Sequence, residues 1–344
     1  MWRCAMTIHE LATMSGYSAA TISRVLNNKP NVNPETRAAV EKLLIESGYG
    51  ANIYDFRQKN LNQKTVMIVV GDLHNWYYIR MVELLTDLLK EKEFDTVIGY
   101  TGNRVEDELR CIDRAFVNHY YGMIFLNVCG KEKTASRLEE RHIAAVFLNR
   151  AIPFANYDTV LIDNYEGSYL ITKYLIQMGH RRIAHLTGSP YSNTTRERTR
   201  GFQDAMASGK LSITENTVFI GDLKYASGHT FGDLLIQKGF DFTAVLCDND
   251  LMAEGLYDSV TGGGLRIPED LSIVCFDETP HSSRCGLTTV SVEPVRMCRK
   301  AAELLFQRVN RPESDIEHIL HKPTVIYRKS VKVVSDRNFG ECMA

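Results

Sequence analysis

The N-terminal fold is decided by residues 7–27, which read Thr-Ile-His-Glu-Leu-Ala-Thr-Met-Ser-Gly-Tyr-Ser-Ala-Ala-Thr-Ile-Ser-Arg-Val-Leu-Asn. Thr7 and Glu10 have the spacing of a capping box, in which a hydroxyl and a carboxylate satisfy the free amides that begin a helix. Gly16 stands where a left-handed residue would end this helix, and Ser18 is a good cap for a second one. Two short helices joined by a glycine-bearing turn are the layout of a DNA-binding helix-turn-helix.

The outward face of the second helix favours a DNA-binding unit over a plain three-helix bundle. The predicted helix covers residues 19–26, and its outward side chains are Ala19, Ala20, Ser23 and Arg24. A solvated helix usually carries Glu and Lys there, whereas small residues and hydroxyls let a helix lie close in the major groove. Arg24 can pair with a guanine edge. The pattern alone leaves the plain bundle open, with a third helix that starts at Asn33-Pro34-Glu35.

The quoted stretch, followed by Asn33-Pro34-Glu35-Thr36-Arg37 and Gly48-Tyr49, resembles the head of the LacI/GalR repressor family. The resemblance implies a DNA-binding domain over residues 1–48. It also implies that Ala19, Ala20 and Arg24 read bases and that phosphates are held by Thr7, Ser18, Thr21, Ser23 and Asn27. Tyr17, Tyr49 and Asn52 complete the predicted DNA-binding set. Phosphate contacts fix register, whereas base contacts select sequence.

Residues 49–63 are predicted to be a hinge that departs from the family's pattern. Family members wedge a leucine into the minor groove at this point and kink the duplex. Here Ala51 stands at the usual proline position and Gln58 at the usual wedge position. A glutamine is a poor wedge because its insertion between bases buries an amide. Phe56 or Leu61 could substitute, or operator bending could be weaker.

From residue 64 onward, short apolar runs alternate with helical patterns, which indicates parallel sheets with helices on both faces. The strand candidates are residues 66–70, 95–100, 122–126, 145–148, 159–162, 183–186, 217–220, 244–247 and 272–276. The family resemblance continues through segments such as Val160 to Asn164, Gly179 to Ala184 and Asn249 to Gly255. It implies a two-lobed core similar to periplasmic sugar-binding proteins.

Three crossings between these lobes are expected, near residues 163–165, 291–295 and 323–327. The first lobe is accordingly predicted to contain residues 64–164 and 294–325. The second lobe is predicted to contain residues 165–293 and 326–344.

Ligands of such sheets bind at the carboxyl ends of strands, so side chains just after strands are the candidates. Asn75, Trp76, Tyr77 and Tyr78 form an aromatic cluster next to an amide that is suited to stacking on a sugar ring or a base, although aromatics are more often core. Asn149, Asn249 and Asp277 each follow a strand.

The resemblance adds Arg198 as a ligand anchor, with Thr194 and Leu223 as further pocket positions. Asp277 paired with Arg198 across the cleft would hold a polar ligand between the lobes. The same pair could instead be a structural salt bridge. A sugar is the favoured ligand class, but a sugar phosphate or a nucleobase stays open.

Composition excludes several classes of protein. The chain has 344 residues, a net charge of -2 and 44% hydrophobic residues, so DNA binding must come from a local surface. The eight cysteines form no CxxC pair, and no apolar run has the length of a signal peptide or a membrane span. A cytoplasmic protein with no cofactor or metal is expected. Phosphate-binding loops, nucleophile elbows and zincin motifs are absent, so an enzyme is not expected.

These observations predict a transcription regulator, most simply a repressor, that binds operator DNA as a homodimer and senses a small sugar-like effector. Two alternatives stay open. The chain could be a ligand-binding protein whose head has lost operator function, or a regulator controlled by a protein corepressor. The hinge and the near-neutral head, with seven Lys and Arg against five Asp and Glu in the first 63 residues, motivate the first alternative.

Overall fold

A computed structural model describes residues 8–26, 32–46, 64–152, 155–239 and 241–334 of the chain. The first two ranges form a helical head. The others form two α/β lobes, each built on its own sheet.

The head contains α1 (Ile8–Ser15), α2 (Ala19–Leu26) and α3 (Pro34–Glu46). Gly16 has φ +74, a conformation that only glycine adopts without strain, and it ends α1 as predicted. Caps begin the next two helices, because Ser18 Oγ accepts from the Thr21 N–H at 3.0 Å and Asn33 Oδ1 accepts from the Glu35 N–H at 2.8 Å. The head's core consists of Leu11, Ile22, Val25, Val40 and Leu44, all at most 1% exposed.

The first lobe has the strand order β11-β5-β4-β3-β1-β2, and every neighbouring pair in it is parallel. Its strands are β1 (Thr65–Val70), β2 (Asp95–Tyr100), β3 (Gly122–Phe125), β4 (Ala145–Leu148), β5 (Asp158–Ile162) and β11 (His318–His321). Its helices are α4 (Trp76–Glu91), α5 (Val105–Val117), α6 (Glu132–Arg141) and α12 (Pro294–Asn310). The helix α12 follows the second lobe in sequence, yet Met297, Ala301 and Leu305 pack into the core of the first.

The second lobe has the order β12-β10-β9-β8-β6-β7, in which only the β10–β12 pair is antiparallel among the described residues. Its strands are β6 (Ile183–Thr187), β7 (Val218–Ile220), β8 (Ala244–Cys247), β9 (Ser272–Phe276), β10 (Thr288–Ser291) and β12 (Thr324–Ile326). Its helices are α7 (Asn164–Gln177), α8 (Asn193–Ser208), α9 (Tyr225–Lys238), α10 (Asp250–Gly262) and α11 (Pro280–Arg284).

The chain passes between the lobes after β5, after β10 and between β11 and β12. The first two passages lie where the sequence places them. The third differs slightly, because β12 already pairs with β10 of the second lobe at Thr324, whereas the sequence boundary was set after residue 325. The polypeptide therefore leaves the first lobe between His321 and Thr324.

The nine predicted strands are present within one or two residues of their predicted ends. Three strands are missed by sequence reasoning: β10, β11 and β12. The reason is their composition, since β10 is rich in threonine, β11 has a histidine at each end, and β12 has three residues.

No helix in the described ranges combines the length and apolar character needed to cross a bilayer. Within the same ranges, no three His, Cys, Asp or Glu side chains lie together as a metal site.

Candidate DNA-reading helix and interlobe cleft

The exposed surface of α2 is formed by Ala20 and Arg24, whereas Ala19, Thr21 and Ser23 are half-buried. Residues four apart lie on one helix face, so a small side chain stands beside the guanidinium. This arrangement lets the α2 backbone approach a groove while Arg24 reaches forward to a base edge.

Two of the predicted DNA contacts lie at the turn before α2. Ser18 caps the helix through Thr21, and its hydroxyl remains at the surface, where it can also meet a phosphate. Tyr17 is half-buried against the head's core. The predicted contacts Thr7, Asn27, Tyr49 and Asn52, and the hinge positions Ala51 and Gln58, lie outside the described residues.

The first lobe presents Asn75, Tyr77, Tyr78 and Asn149 at the carboxyl ends of β1 and β4. Asn75 caps α4, and its Oδ1 accepts from the Tyr77 N–H at 2.9 Å. The Tyr77 hydroxyl donates to Asn149 Oδ1 at 3.2 Å, and Asn149 Nδ2 donates to the Tyr78 hydroxyl at 3.3 Å. Both tyrosines are buried, at 6% and 7% exposed. They orient Asn149, and their rings are not the open stacking surface that the sequence pattern predicts.

In the second lobe, Arg198 on α8 is held from several sides. Its Nε donates to Asn164 Oδ1 at 2.9 Å, and its Nη1 donates to the backbone carbonyl of Asp248. The guanidinium lies 3.8 Å from the ring centroid of Phe276, and its Nη2 lies 3.8 Å from Asp277 Oδ1. With 7% of its surface exposed, Arg198 is a fixed charge in the cleft wall rather than a mobile surface arginine.

The expected bridge across the cleft between Arg198 and Asp277 is wrong. Arg198 follows β6 and Asp277 follows β9, and both strands belong to the second sheet. The pair therefore lies within one lobe. It is a prearranged polar patch that a ligand or the first lobe can meet.

Asp277 combines an unusual backbone with an unusual acidity. Its φ is +94, its N–H donates to the Val290 carbonyl at 3.1 Å, and the residue is 8% exposed. Burial raises the pKa of Asp277 to about 7, with Arg198 opposing this rise and the nearby Asp250 adding to it. No described side chain donates a hydrogen bond to its carboxylate at normal distance.

Tyr77, from the first lobe, lines a small interlobe cavity together with Asp277. Burial raises the pKa of Tyr77 well above its ordinary value, and the negative charge of Asp277 raises it further. The two residues come from opposite lobes, and the Tyr77 hydroxyl itself donates to Asn149.

The remaining predicted positions have different roles. Asn249 caps α10, since its Oδ1 accepts from the Met252 N–H at 3.0 Å, while its Nδ2 donates to the Leu223 carbonyl at 2.8 Å. Both polar atoms of its amide bind protein, so Asn249 positions Leu223 instead of standing free. Leu223 is half-buried with φ +64, and Thr194 lies in the first turn of α8 at the cleft.

A cavity of about 540 Å³ lies between the lobes, and of the predicted ligand-binding residues it is lined by Asn149 and Thr194. Its walls follow the strand ends of both lobes and include Lys131, Asn149, Arg150, Asn164, Tyr191 and Thr194. This is the position at which open α/β sheets bind ligands, and the volume suits a small molecule.

Sequence reasoning missed two partners of Arg198. Asn164 is 9% exposed and directly follows the crossing after β5, while Asp248 is 1% exposed and follows β8. The Asp248 carboxylate also meets His185 Nε2 at 2.8 Å and Thr187 Oγ1 at 2.6 Å. The strand-end rule could have selected both residues, but the pairing with His185 depends on neighbouring strands and has no signal along the chain.

Comparison with known proteins gives the same two-part organisation. Residues 7–52 match the family described as bacterial regulatory proteins, lacI family, and residues 172–331 match a periplasmic binding protein-like domain. The chain belongs to the LacI family. The helical head and the two-lobed core, which the sequence resemblance implies, are thereby confirmed.

Curated LacI-family relatives align along nearly the whole chain. The regulator GalR of Escherichia coli K12 is 28% identical over 332 residues, which cover 96% of each chain. The repressor PurR of Haemophilus influenzae PittEE is 27% identical and covers 95% of this chain and 99% of its own.

Solved structures of transcription regulators have a similar fold. A CelR regulator in complex with cellobiose has a TM-score of 0.71 at 26% identity, covering 94% of this chain and 99% of its own. A lac repressor dimer bound to operator has a TM-score of 0.74 and covers 96% of this chain and all of its own; at 21% identity it shows the fold alone. This LacI-family chain is thus a DNA-binding transcription regulator with a ligand-binding core, not an enzyme.

The buried Asp277 carboxylate of this LacI-family core gives a prediction for stability against pH. Because its folded pKa is raised from 3.8 to about 7, the folded protein keeps a proton that the unfolded chain releases, so its contribution to stability falls as pH rises from about 4 to 7. Asp277→Asn is expected to be more stable than the parent at pH 7.5, on the order of 2 kcal/mol, with the difference shrinking toward pH 4.5. Urea unfolding at pH 7.5 and at pH 4.5 measures the difference in the free energy of unfolding between this variant and the parent. Asp87→Asn, which alters an exposed carboxylate on α4, is the control, and a pH-independent difference for Asp277→Asn would contradict the assignment.

Proposed function

We propose that this LacI-family regulator is a cytoplasmic repressor that binds operator DNA as a homodimer, and that a sugar bound between its lobes controls operator affinity. The observation that carries the sugar assignment is the buried Asp277 carboxylate, which has Arg198 beside it and lines an interlobe cavity together with Tyr77.

Hydroxyl-rich ligands fit this arrangement. A sugar hydroxyl can donate to Asp277 and accept from Arg198. The amides of Asn149 and Asn164 already bind protein through both polar atoms, and each keeps one acceptor lone pair and one N–H for a ligand. Thr194 on α8 adds a hydroxyl from the second-lobe wall of the larger cavity. In this account Asn75, Tyr77, Tyr78, Leu223 and Asn249 shape the site and hold its polar groups. The cellobiose complex of CelR supports the same ligand class.

The DNA side of the proposal rests on α2. Ala20 and Arg24 supply a narrow, exposed reading surface, and Ser18 at its start can hold a phosphate. One helix-turn-helix reads a half-site, so two copies of the chain are needed for a palindromic operator. The lac repressor neighbour, a dimer bound to operator, supports this assembly.

The test measures operator binding by the full chain during sugar titration. An operator is first selected from random DNA duplexes, and its affinity is then measured with monosaccharides, sugar phosphates and nucleobases. One sugar is expected to change the affinity by roughly 5- to 150-fold, the usual range of allosteric coupling. Asp277→Asn should weaken the effect, because the amide keeps one acceptor oxygen and carries no charge. An effect of a nucleobase alone would contradict the sugar assignment and leave operator binding intact.

The same titration separates the two alternatives. A ligand-binding protein without operator function would bind sugar but select no operator from the pool. A regulator controlled by a protein corepressor would bind operator with an affinity that no small molecule changes.

A further inference from the structure

Trp76, the first residue of α4, is the open aromatic ring of the first-lobe cluster. Its side chain is 42% exposed, whereas the following Tyr77 and Tyr78 are buried. A large indole that is exposed beside a ligand cleft is a candidate contact surface, because a bound ligand would shield its apolar ring from water.

Trp76 lines a second interlobe cavity of about 320 Å³. Trp76, Tyr77 and Arg80 form its wall in the first lobe, and Asp277, Thr279 and Ser283 face them from the second. The second lobe also contributes Glu278, whose Oε1 lies 3.5 Å from Arg328 Nη2, so the cavity sets the indole and phenol rings against two carboxylates and two hydroxyls. A sugar ring has this same division, with apolar C–H faces and a rim of hydroxyls.

The two interlobe cavities share one set of polar groups. Tyr77 lines the smaller cavity and donates to Asn149, which lines the larger. Arg198 likewise connects Asn164, on the larger cavity, with Asp277, on the smaller. A ligand that fills both cavities would pass along these side chains.

We propose that the smaller cavity is a second sugar subsite in which Trp76 stacks on the ring, so that the effector contains at least two linked sugar units. The inference rests on the proposed sugar-binding function and adds the size of the ligand. Stacking covers the exposed indole with a C–H face, while Asp277 accepts a hydroxyl from the rim. A single sugar unit in the larger cavity leaves Trp76 uncovered.

Calorimetry on the full chain tests this subsite. The probes are glucose and galactose against the disaccharides maltose, cellobiose and lactose. The parent is expected to bind one disaccharide at least tenfold more tightly than its constituent monosaccharides. Trp76→Ala should reduce disaccharide affinity to about the monosaccharide level and leave monosaccharide affinity within about twofold. The matched control is Phe116→Ala, because Phe116 on α5 has the same 42% exposure and lies outside both interlobe cavities.

Tryptophan fluorescence gives a second readout. The sequence contains Trp2 and Trp76, so the Trp2→Phe variant leaves Trp76 as the single emitter. Disaccharide should shift its emission and monosaccharide should not, since only the larger ligand reaches the indole.

Any of three results would overturn the subsite. The parent could bind disaccharides no more tightly than monosaccharides, Trp76→Ala could keep the parent's higher affinity for the disaccharide, or Trp76→Ala could lose affinity for both ligand classes equally. Monosaccharide binding without a disaccharide advantage removes the subsite and keeps the proposed sugar control. Absence of all sugar binding overturns both.

Discussion

Arg198→Ala is expected to destabilise the core by about 3–5 kcal/mol and to abolish the response of operator binding to sugar. The guanidinium binds Asn164 and the Asp248 carbonyl, packs on Phe276 and lies beside Asp277, and the residue is 7% exposed. Removal of the guanidinium leaves acidic and polar groups buried without their partner. The free-energy cost of these unpaired groups is larger than the net stabilisation that the contacts provide. Urea unfolding measures the first effect, and sugar titration of operator binding measures the second.

Arg196→Ala is the matched control, since it removes the same charge from the same helix, α8. Arg196 is exposed, and it binds the Tyr191 carbonyl at 3.5 Å and the Asn193 side chain. Exposed substitutions of this kind change stability by about 0.5 kcal/mol or less, so the control should keep both stability and sugar response. Equal behaviour of the two variants would show that Arg198 is not the organising charge of the cleft.

Arg24→Ala is expected to weaken binding to the selected operator by about 1–3 kcal/mol, or roughly 5- to 150-fold, through loss of a base contact. Arg24 is exposed on α2 while Ile22 and Val25 on the same helix are fully buried, so the change should leave the head folded. Fluorescence anisotropy with operator and with scrambled DNA measures the change. Binding to scrambled DNA should weaken much less, because it depends on phosphate contacts.

Lys42→Ala provides the comparison for charge alone. It removes one positive charge from α3, which carries none of the predicted base contacts. Selectivity for operator over scrambled DNA should be kept in Lys42→Ala and lost in Arg24→Ala. Parallel losses in the two variants would assign Arg24 an electrostatic role rather than a base-reading one.

The sequence is most informative where local rules decide the structure. Gly16, Ser18 and Asn33 set the ends of the head's helices through backbone conformation and capping, which act within three residues and can be read from spacing. Most inner strands of the two sheets, such as β1, β4 and β8, are buried along their whole length, so they appear as continuous apolar runs. Strands with polar or very short sequences, such as β11 and β12, lack this signal.

Contacts between side chains that follow different strands could not be predicted from the sequence. Asp277 was predicted to follow a strand, and Arg198 entered through the family resemblance. The predicted second lobe, residues 165–293, already contains both, so only their approach to 3.8 Å depends on the order of the strands in the sheet. The burial of each ring in the aromatic cluster could not be predicted from the sequence either. Its three rings are consecutive, and only the packing of α4 buries Tyr77 and Tyr78 while it leaves Trp76 open. A buried carboxylate such as Asp248, matched to His185 on a neighbouring strand, likewise depends on the three-dimensional arrangement.

In the proposed mechanism, ligand binding in the interlobe cleft is coupled to DNA binding by α2. The most direct test measures the affinity of the full chain for operator with and without saturating sugar, and its affinity for the sugar with and without saturating operator. Thermodynamic linkage requires the two ratios to be equal, and the account predicts a common factor of roughly 5- to 150-fold. A factor of one in both directions, with sugar and operator each bound tightly, would contradict it.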